Sequence, residues 1–212
     1  LVSVSRETKD INHFRPLIQN GIPVVFVDKV VKEGNNPRVI INDFDTAFTA
    51  VNHLAKKKYQ KIAGAFANEN LMITQQRKAG FKAALESHGL PYYKQFCFHA
   101  HSSELAKIQF LRLLDQSEQP DAVFTMSDEL LTSIIQVIHE RGLKVPEEIA
   151  VISISNGYLP YYIHPKITFI KHAGYQVGQA AANLLIDLLE HPKAVVEKQL
   201  VLETYLVELD SC

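Results

Sequence analysis

The sequence predicts an α/β protein built on parallel sheets flanked by helices. Three observations carry this. Short β-branched runs alternate with helical patterns from one end of the chain to the other, the signature of βαβ units. Residues 24–28, Val-Val-Phe-Val-Asp, form a continuous apolar run of the kind buried on both faces of a parallel sheet. The helical patterns close on helix-ending pairs or glycines: Asn20-Gly21, His88-Gly89 and Gly142.

Taken in order, residues 1–5 read as the first strand, and Asp10 caps a helix that stops at Asn20-Gly21. Pro23 leads into a strand at 24–28, and a short strand covers 39–42. A helix from 45 to about 58 sets Ala47, Val51, Leu54 and Ala55 on one stripe. The pattern restarts with a strand at 62–67, a helix at 72–87 and a strand at 96–100. A helix at 103–115, capped by Ser102 or Ser103, precedes a strand at 122–126 and a helix at 128–141. Strands at 150–155 and 168–171, a helix at 174–190 and one long strand at 199–207 complete the chain. The lysine-rich stretch 56–61 is the expected boundary between two lobes.

Composition narrows the function classes. The chain has 212 residues, 47% of them hydrophobic, and no apolar run approaches a membrane span. Lys plus Arg number 22 against 23 Asp plus Glu, a net charge of -1, so the basic face of a nucleic-acid binder is missing. Lys56-Lys57-Lys58 reads as cations at a helix C-terminus. Two cysteines, Cys97 and Cys212, cannot form a disulfide framework and suit a reducing cytosol, so a cytoplasmic location is expected. The start lacks the basic and apolar regions of a signal peptide and also lacks Met, which points to a fragment.

Several catalytic constellations fail. There is no Walker pattern, no G-x-G-x-x-G after a strand and no G-x-S-x-G elbow. Ser153 and Ser155 sit near a strand end with no neighbouring base. His99 and His101 alternate on a strand and could share a metal, but they read more simply as strand-end polar residues. Tyr158, Tyr161 and Tyr162 surround Pro160, either lining an opening or packing under a turn. No catalytic residue, metal or cofactor is expected.

Six segments in register resemble the effector-binding region of the lactose-repressor (LacI/GalR) family of bacterial transcriptional regulators. They are Gly21-Ile-Pro-Val-Val-Phe-Val-Asp28, Arg77-Lys-Ala-Gly-Phe-Lys-Ala-Ala-Leu85 with His88-Gly89, and Pro120-Asp-Ala-Val-Phe-Thr-Met-Ser-Asp128. Further on come Arg141-Gly-Leu-Lys-Val-Pro-Glu-Glu-Ile-Ala-Val-Ile152, His164-Pro-Lys-Ile-Thr168 and Gly178-Gln-Ala-Ala-Ala-Asn-Leu-Leu185. The resemblance implies a two-lobed fold like that of periplasmic binding proteins (type I), with three crossovers and a small effector between the lobes. Mapped here, an incomplete N-terminal lobe spans 1–58 and is completed by 173–192, while the C-terminal lobe spans 59–172 and is completed by 193–212. Two earlier strand–helix units and a helix-turn-helix head are expected to precede these residues in the parent protein. Residues 1–5 are therefore expected to lie at a sheet edge.

The resemblance also implies a set of ligand contacts. Asp28 matches an acidic residue that hydrogen-bonds effector hydroxyls, and a carboxylate offers about four lone-pair sites for them. Arg77 matches an arginine that points into the cleft, where its fork can grip two oxygens. Ser127-Asp128 matches a pair that is usually Asn-Asp, and Asp128 is also expected to cap the helix that follows. Ser155, followed by Asn156, stands where many members carry Asp, a departure that removes a hydroxyl acceptor and loosens the expectation of a hexose. His172 falls where the family has a glutamine near the hinge. The implied function is sensing of a small polar metabolite such as a sugar, with operator DNA bound through the head. The family pairs as homodimers, implying contacts near the 47–54 and 177–185 stripes. A periplasmic sugar-binding protein of a transport system is the alternative, and a sugar-modifying enzyme a more distant one.

Overall fold

The computed structural model describes residues 1–5, 8, 10–30, 36–191 and 199–212. Their helices and strands begin with α1 (Arg15–Gln19), β1 (Phe26–Val27), β2 (Arg38–Ile41), α2 (Asp43–Lys56), β3 (Ile62–Phe66) and α3 (Met72–Ser87). Next are β4 (Cys97–His99), α4 (Ser103–Leu114), β5 (Ala122–Thr125), α5 (Asp128–Glu140), β6 (Ala150–Ser155) and α6 (Leu159–Tyr162). The chain ends with β7 (Thr168–Lys171), α7 (Gly174–Glu190), β8 (Gln199–Leu202) and β9 (Tyr205–Val207). These elements group into two units.

The first unit comprises Leu1–Asn42, Asn70–Ile73 and Ala173–Glu203. Its sheet has the order β1-β2-β8, with both pairings parallel. One cluster joins Val25, Val39 and Ile41 to Val177, Ala181 and Leu184 of α7, so the i, i+4, i+7 stripe of α7 is used on its own sheet. Another gathers Val4, Val24, Phe26 and Val30 with Ile11 and Phe14. Residues 1–5 make a shorter contact than the strand expected. Val2 forms a single parallel bridge to Phe26, with its N–H on the Val25 carbonyl at 2.9 Å and its carbonyl accepting from Val27 at 2.8 Å. Asp10 accepts from the Asn12 N–H at 2.8 Å, and the turn opens as a 3-10 segment, Asn12–Phe14, before α1 with its early Pro16.

The second unit comprises Asp43–Glu69, Thr74–His172 and Thr204–Cys212. Six strands take the order β4-β3-β5-β6-β7-β9, parallel except for the antiparallel β7–β9 edge. β3, β5 and β6 are buried along their whole length, as their continuous apolar runs require. Phe66, Phe81 and Phe124 meet with ring centroids 5.5–5.9 Å apart and form an aromatic centre between the sheet and α3.

Two features differ from the sequence reading. The helix α2, assigned there to the first lobe, groups with the second unit, because Ala47, Val51 and Leu54 are fully buried against the second sheet. The buried residues of the Ala47–Leu54 and Val177–Leu185 stripes thus face their own sheets. The expected long strand at 199–207 is two strands in two sheets: β8 pairs with β2 and β9 with β7. At the break, the Thr204 and Thr46 hydroxyls hydrogen-bond at 3.0 Å, holding the returning chain to α2.

Candidate functional site

Polar side chains collect at the carboxyl ends of β5, β6 and β7 in the second unit, the end at which open α/β sheets bind ligands. β5 runs out at Thr125, and Ser127 caps α5 by accepting from the Leu130 N–H at 3.5 Å. Asp128, the first residue of α5, accepts from the Asn156 N–H at 3.5 Å, which ties the α5 start to the loop after β6. Its other carboxylate oxygen, Oδ1, is buried without a hydrogen-bond partner among the described residues. That is an acceptor left waiting, and a buried acceptor without a donor is costly.

The loop after β6 is tightly built. Ser155 is almost fully buried, and its hydroxyl accepts from the Gly157 N–H at 3.0 Å. The exposed Asn156 accepts at Oδ1 from the Tyr158 N–H at 3.4 Å. Gly157 has φ +97°, a left-handed geometry that suits glycine. On the neighbouring strand, the His172 N–H donates to the Ser155 carbonyl at 2.7 Å. Ser127, Asp128, Ser155, Asn156 and His172 therefore stand on three adjacent strand ends.

Arg77 reaches the same region from α3. Its side chain is 4% exposed, with Nε–H on Asp43 Oδ1 at 2.8 Å and one Nη1–H on the Met126 carbonyl at 2.5 Å. The Ala-Gly-Phe that follows Arg77 explains the placement. A Cβ on Gly80 would lie 2.1 Å from the Phe44 carbonyl oxygen, so only glycine lets α3 come this close to the start of α2. One turn earlier, that approach brings Arg77 to Asp43. Phe81, next in the motif, fills the aromatic centre. The guanidinium thus bridges the first residue of α2 to the end of β5, with its charge held by Asp43.

Sequence reasoning missed Asp43 and Lys171. Asp43 carries no pattern of its own, and its partner appears only once Gly80 sets the helix spacing. Lys171 stands beside Ser155 in the β6–β7 register. Its Nζ lies 3.5 Å from where a Gly157 Cβ would be. Pairing Ser153-Ile-Ser155 with Phe169-Ile-Lys171 was the signal that could have found it.

Asp28 belongs to the first unit, at the end of β1, half-buried and with φ 59°. Its N–H donates to the Val39 carbonyl at 3.1 Å.

The remaining candidates serve elsewhere. The Ser153 hydroxyl accepts from Thr125 at 2.8 Å in a buried rung between β5 and β6. His99 faces the Ala67 carbonyl through Nδ1 at 2.9 Å and Lys78 Nζ through Nε2 at 2.8 Å. His101 lies beyond β4, and no group of three or more His, Cys, Asp or Glu suited to a metal occurs among the described residues. Burial pushes the Cys97 thiol up, outweighing a Tyr92 hydrogen bond and the Lys78 and Lys82 charges that favour the thiolate. Tyr161 packs edge-on against Phe169 at 5.6 Å, whereas Tyr158 and Tyr162 are largely exposed. No helix among the described residues is long and apolar enough to cross a membrane.

Comparison with known proteins places this geometry. Residues 51–212 match the family described as periplasmic binding protein-like domain. The chain is 24% identical over 208 residues to the probable HTH-type transcriptional repressor ExuR of Bacillus subtilis, covering 98% of this chain and 62% of that protein. It is 30% identical over 178 residues to the HTH-type transcriptional repressor CytR of Escherichia coli, covering 81% of this chain and 51% of that protein. Among solved structures, a LacI family transcriptional regulator from Enterococcus faecium with bound ribose superposes with a TM-score of 0.85 at 28% identity, over 93% of this chain and 73% of that one. The chain thus spans roughly half to three-fifths of the length of these curated relatives.

Proposed function

From the premise that the chain belongs to the periplasmic binding protein-like domain family, in the form carried by LacI-type regulators, we propose that it is the ligand-sensing region of a transcriptional regulator. It binds a small polar metabolite such as a sugar and has no enzymatic step of its own. The observation that carries this is the polar shelf of Ser127, Asp128, Ser155, Asn156 and His172, joined by Arg77, on a fold whose Enterococcus relative holds ribose. The relatives are repressors by name, which favours regulation over a transport-associated binding protein.

In this reading the parent protein works in the cytoplasm as a homodimer and meets operator DNA through a separate head. Ligand and operator are then linked by a coupling free energy of roughly 1–3 kcal/mol. The chain has a net charge of -1, and no groove-reading element occurs among the described residues, so we expect it to leave DNA unbound at physiological salt.

A thermal-shift panel of D-ribose, hexoses, hexuronates, sugar phosphates and purine nucleosides tests the proposal. A specific ligand at 100 times its Kd stabilises the fold by about 2.7 kcal/mol. For the compound that scores, Arg77→Ala should weaken binding by roughly 10- to 150-fold, the loss of one charge-assisted hydrogen bond. A panel without any stabilising compound would refute the small-metabolite reading, and unchanged affinity in the variant would remove Arg77 from the site.

A further inference from the structure

We propose that Lys171 makes this chain selective for a ligand carrying an anionic group, a carboxylate or a phosphate, bound at the β6–β7 side of the polar shelf. The inference rests on the ligand-sensing reading above and narrows its ligand class.

Three observations support it. In the β6–β7 register, Lys171 is the direct neighbour of Ser155, and the resemblance to the lactose-repressor family places Ser155 where many members carry a carboxylate. A carboxylate there would stand beside the ammonium and neutralise it. The serine hydroxyl cannot, and it is already taken by the Gly157 N–H at 3.0 Å. Lys171 has no ion-pair partner among the described residues.

Second, the ammonium is held at the shelf rather than reaching away from it. Lys171 is half-buried, with Cε and Nζ 3.4 and 3.5 Å from the position of a Gly157 Cβ. These are ordinary contact distances, so the ammonium lies against the backbone of the loop that carries Asn156. Third, the other shelf cation has its charge answered from within. Arg77 is ion-paired to Asp43 at 2.8 Å, with both side chains 9% exposed or less. A ligand anion at Arg77 would have to compete with a carboxylate already in place, whereas at Lys171 it meets an unanswered charge. Ion pairs formed in partly desolvated sites are stronger than those in open water.

The test compares matched ligands by calorimetry: D-glucose, D-glucuronate and D-glucose 6-phosphate; D-galactose and D-galacturonate; D-ribose and D-ribose 5-phosphate. We expect an anionic member of one set to bind about 10-fold or more tighter than its neutral counterpart, the scale of one charge-assisted contact. Carboxylate against phosphate binding then distinguishes the two sources of the anion. Lys171→Gln should weaken the anionic member by about 10-fold or more, down to the affinity of its neutral counterpart, and Lys171→Arg should restore the preference. A purely structural role would lower all affinities together. Neutral sugars binding as tightly as the acids and phosphates, or an anion preference that survives in Lys171→Gln, overturns the proposal and leaves the sensing function standing. If no member of any set binds, the sugar form of that function falls, and this inference with it.

Discussion

Replacing Gly80 by alanine tests the contact from which the Arg77 placement follows. The added Cβ would sit 2.1 Å from the Phe44 carbonyl oxygen and 3.0 Å from the Phe48 nitrogen, where ordinary contact begins at 3.4 Å. Both obstacles are backbone atoms of α2, so no rotamer change relieves them and the two helices must separate. Overpacking of this kind costs about 1–3 kcal/mol, and more when backbone must move. Alanine returns about 1 kcal/mol through its better helix propensity. We therefore expect a net loss of up to about 2 kcal/mol, and more because backbone must move, which lowers the melting midpoint of a chain this size by about 2–4 °C per kcal/mol. Gly178 is the internal control: it lies on α7 with nothing within 4 Å of its Cβ position. There the same substitution should stabilise by roughly 0.4–1 kcal/mol. Calorimetry on both variants, with far-UV circular dichroism to follow helix content, reads the two signs directly. A Gly80→Ala protein that melts at or above the parent temperature would refute the close approach of α2 and α3, and with it this account of Arg77.

Two further outcomes follow from buried groups. His53 is buried on α2 with Nε2 unpartnered among the described residues, and burial holds its pKa below the ordinary 6.5; Glu208 opposes that shift, while Lys57 and Lys56 add to it. Because the unfolded chain then binds the proton more readily, this contribution is complete above pH 6.5 and is lost as pH falls from there through the lowered folded value. His53→Gln should flatten the urea-midpoint profile below that pH, and an unchanged profile would show that His53 charges freely in the fold. Ser211 is fully buried, its hydroxyl donating to the Val151 carbonyl at 2.6 Å and accepting from the Thr168 N–H at 2.8 Å. Ser211→Ala leaves both strand groups unanswered and should cost about 1–3 kcal/mol in urea unfolding; an unaltered midpoint would mean that the C-terminal segment does not lock β6 to β7.

How much of this was legible beforehand depends on the range of the interaction involved. Local patterns were readable where they were decisive. The helices Met72–Ser87 and Gly174–Glu190 and the strands Ala150–Ser155 and Thr168–Lys171 fall where periodicity and terminators place them. What local patterns cannot carry is the identity of the opposing surface. The Ala47–Leu54 stripe shows that one face of α2 is buried, but the same stripe would fit either sheet, and the following lysines imitated a boundary. The alternation across residues 199–207 likewise reads as one strand, because a chain that changes sheets keeps its period of two.

The site divides along the same line. The sequence reading gave the helix cap to Asp128, whereas Ser127 caps and Asp128 is the first helical residue, a shift of one that local patterns do not resolve; Ser155 stood out as a departure from a family pattern. Asp43 and Lys171 became visible only through the Gly80 contact and the β6–β7 register, both properties of paired elements. The consequence reaches the ligand. Sequence alone made Arg77 the cation of the site, because it matches an arginine that points into the cleft. The fold gives that arginine an internal carboxylate and leaves Lys171 beside a serine, so the cation without an internal ion pair stands at the end of β7 rather than on α3. Selectivity for anionic over neutral sugars should therefore follow residue 171 rather than residue 77, which an affinity series across both positions would reveal as two separable effects.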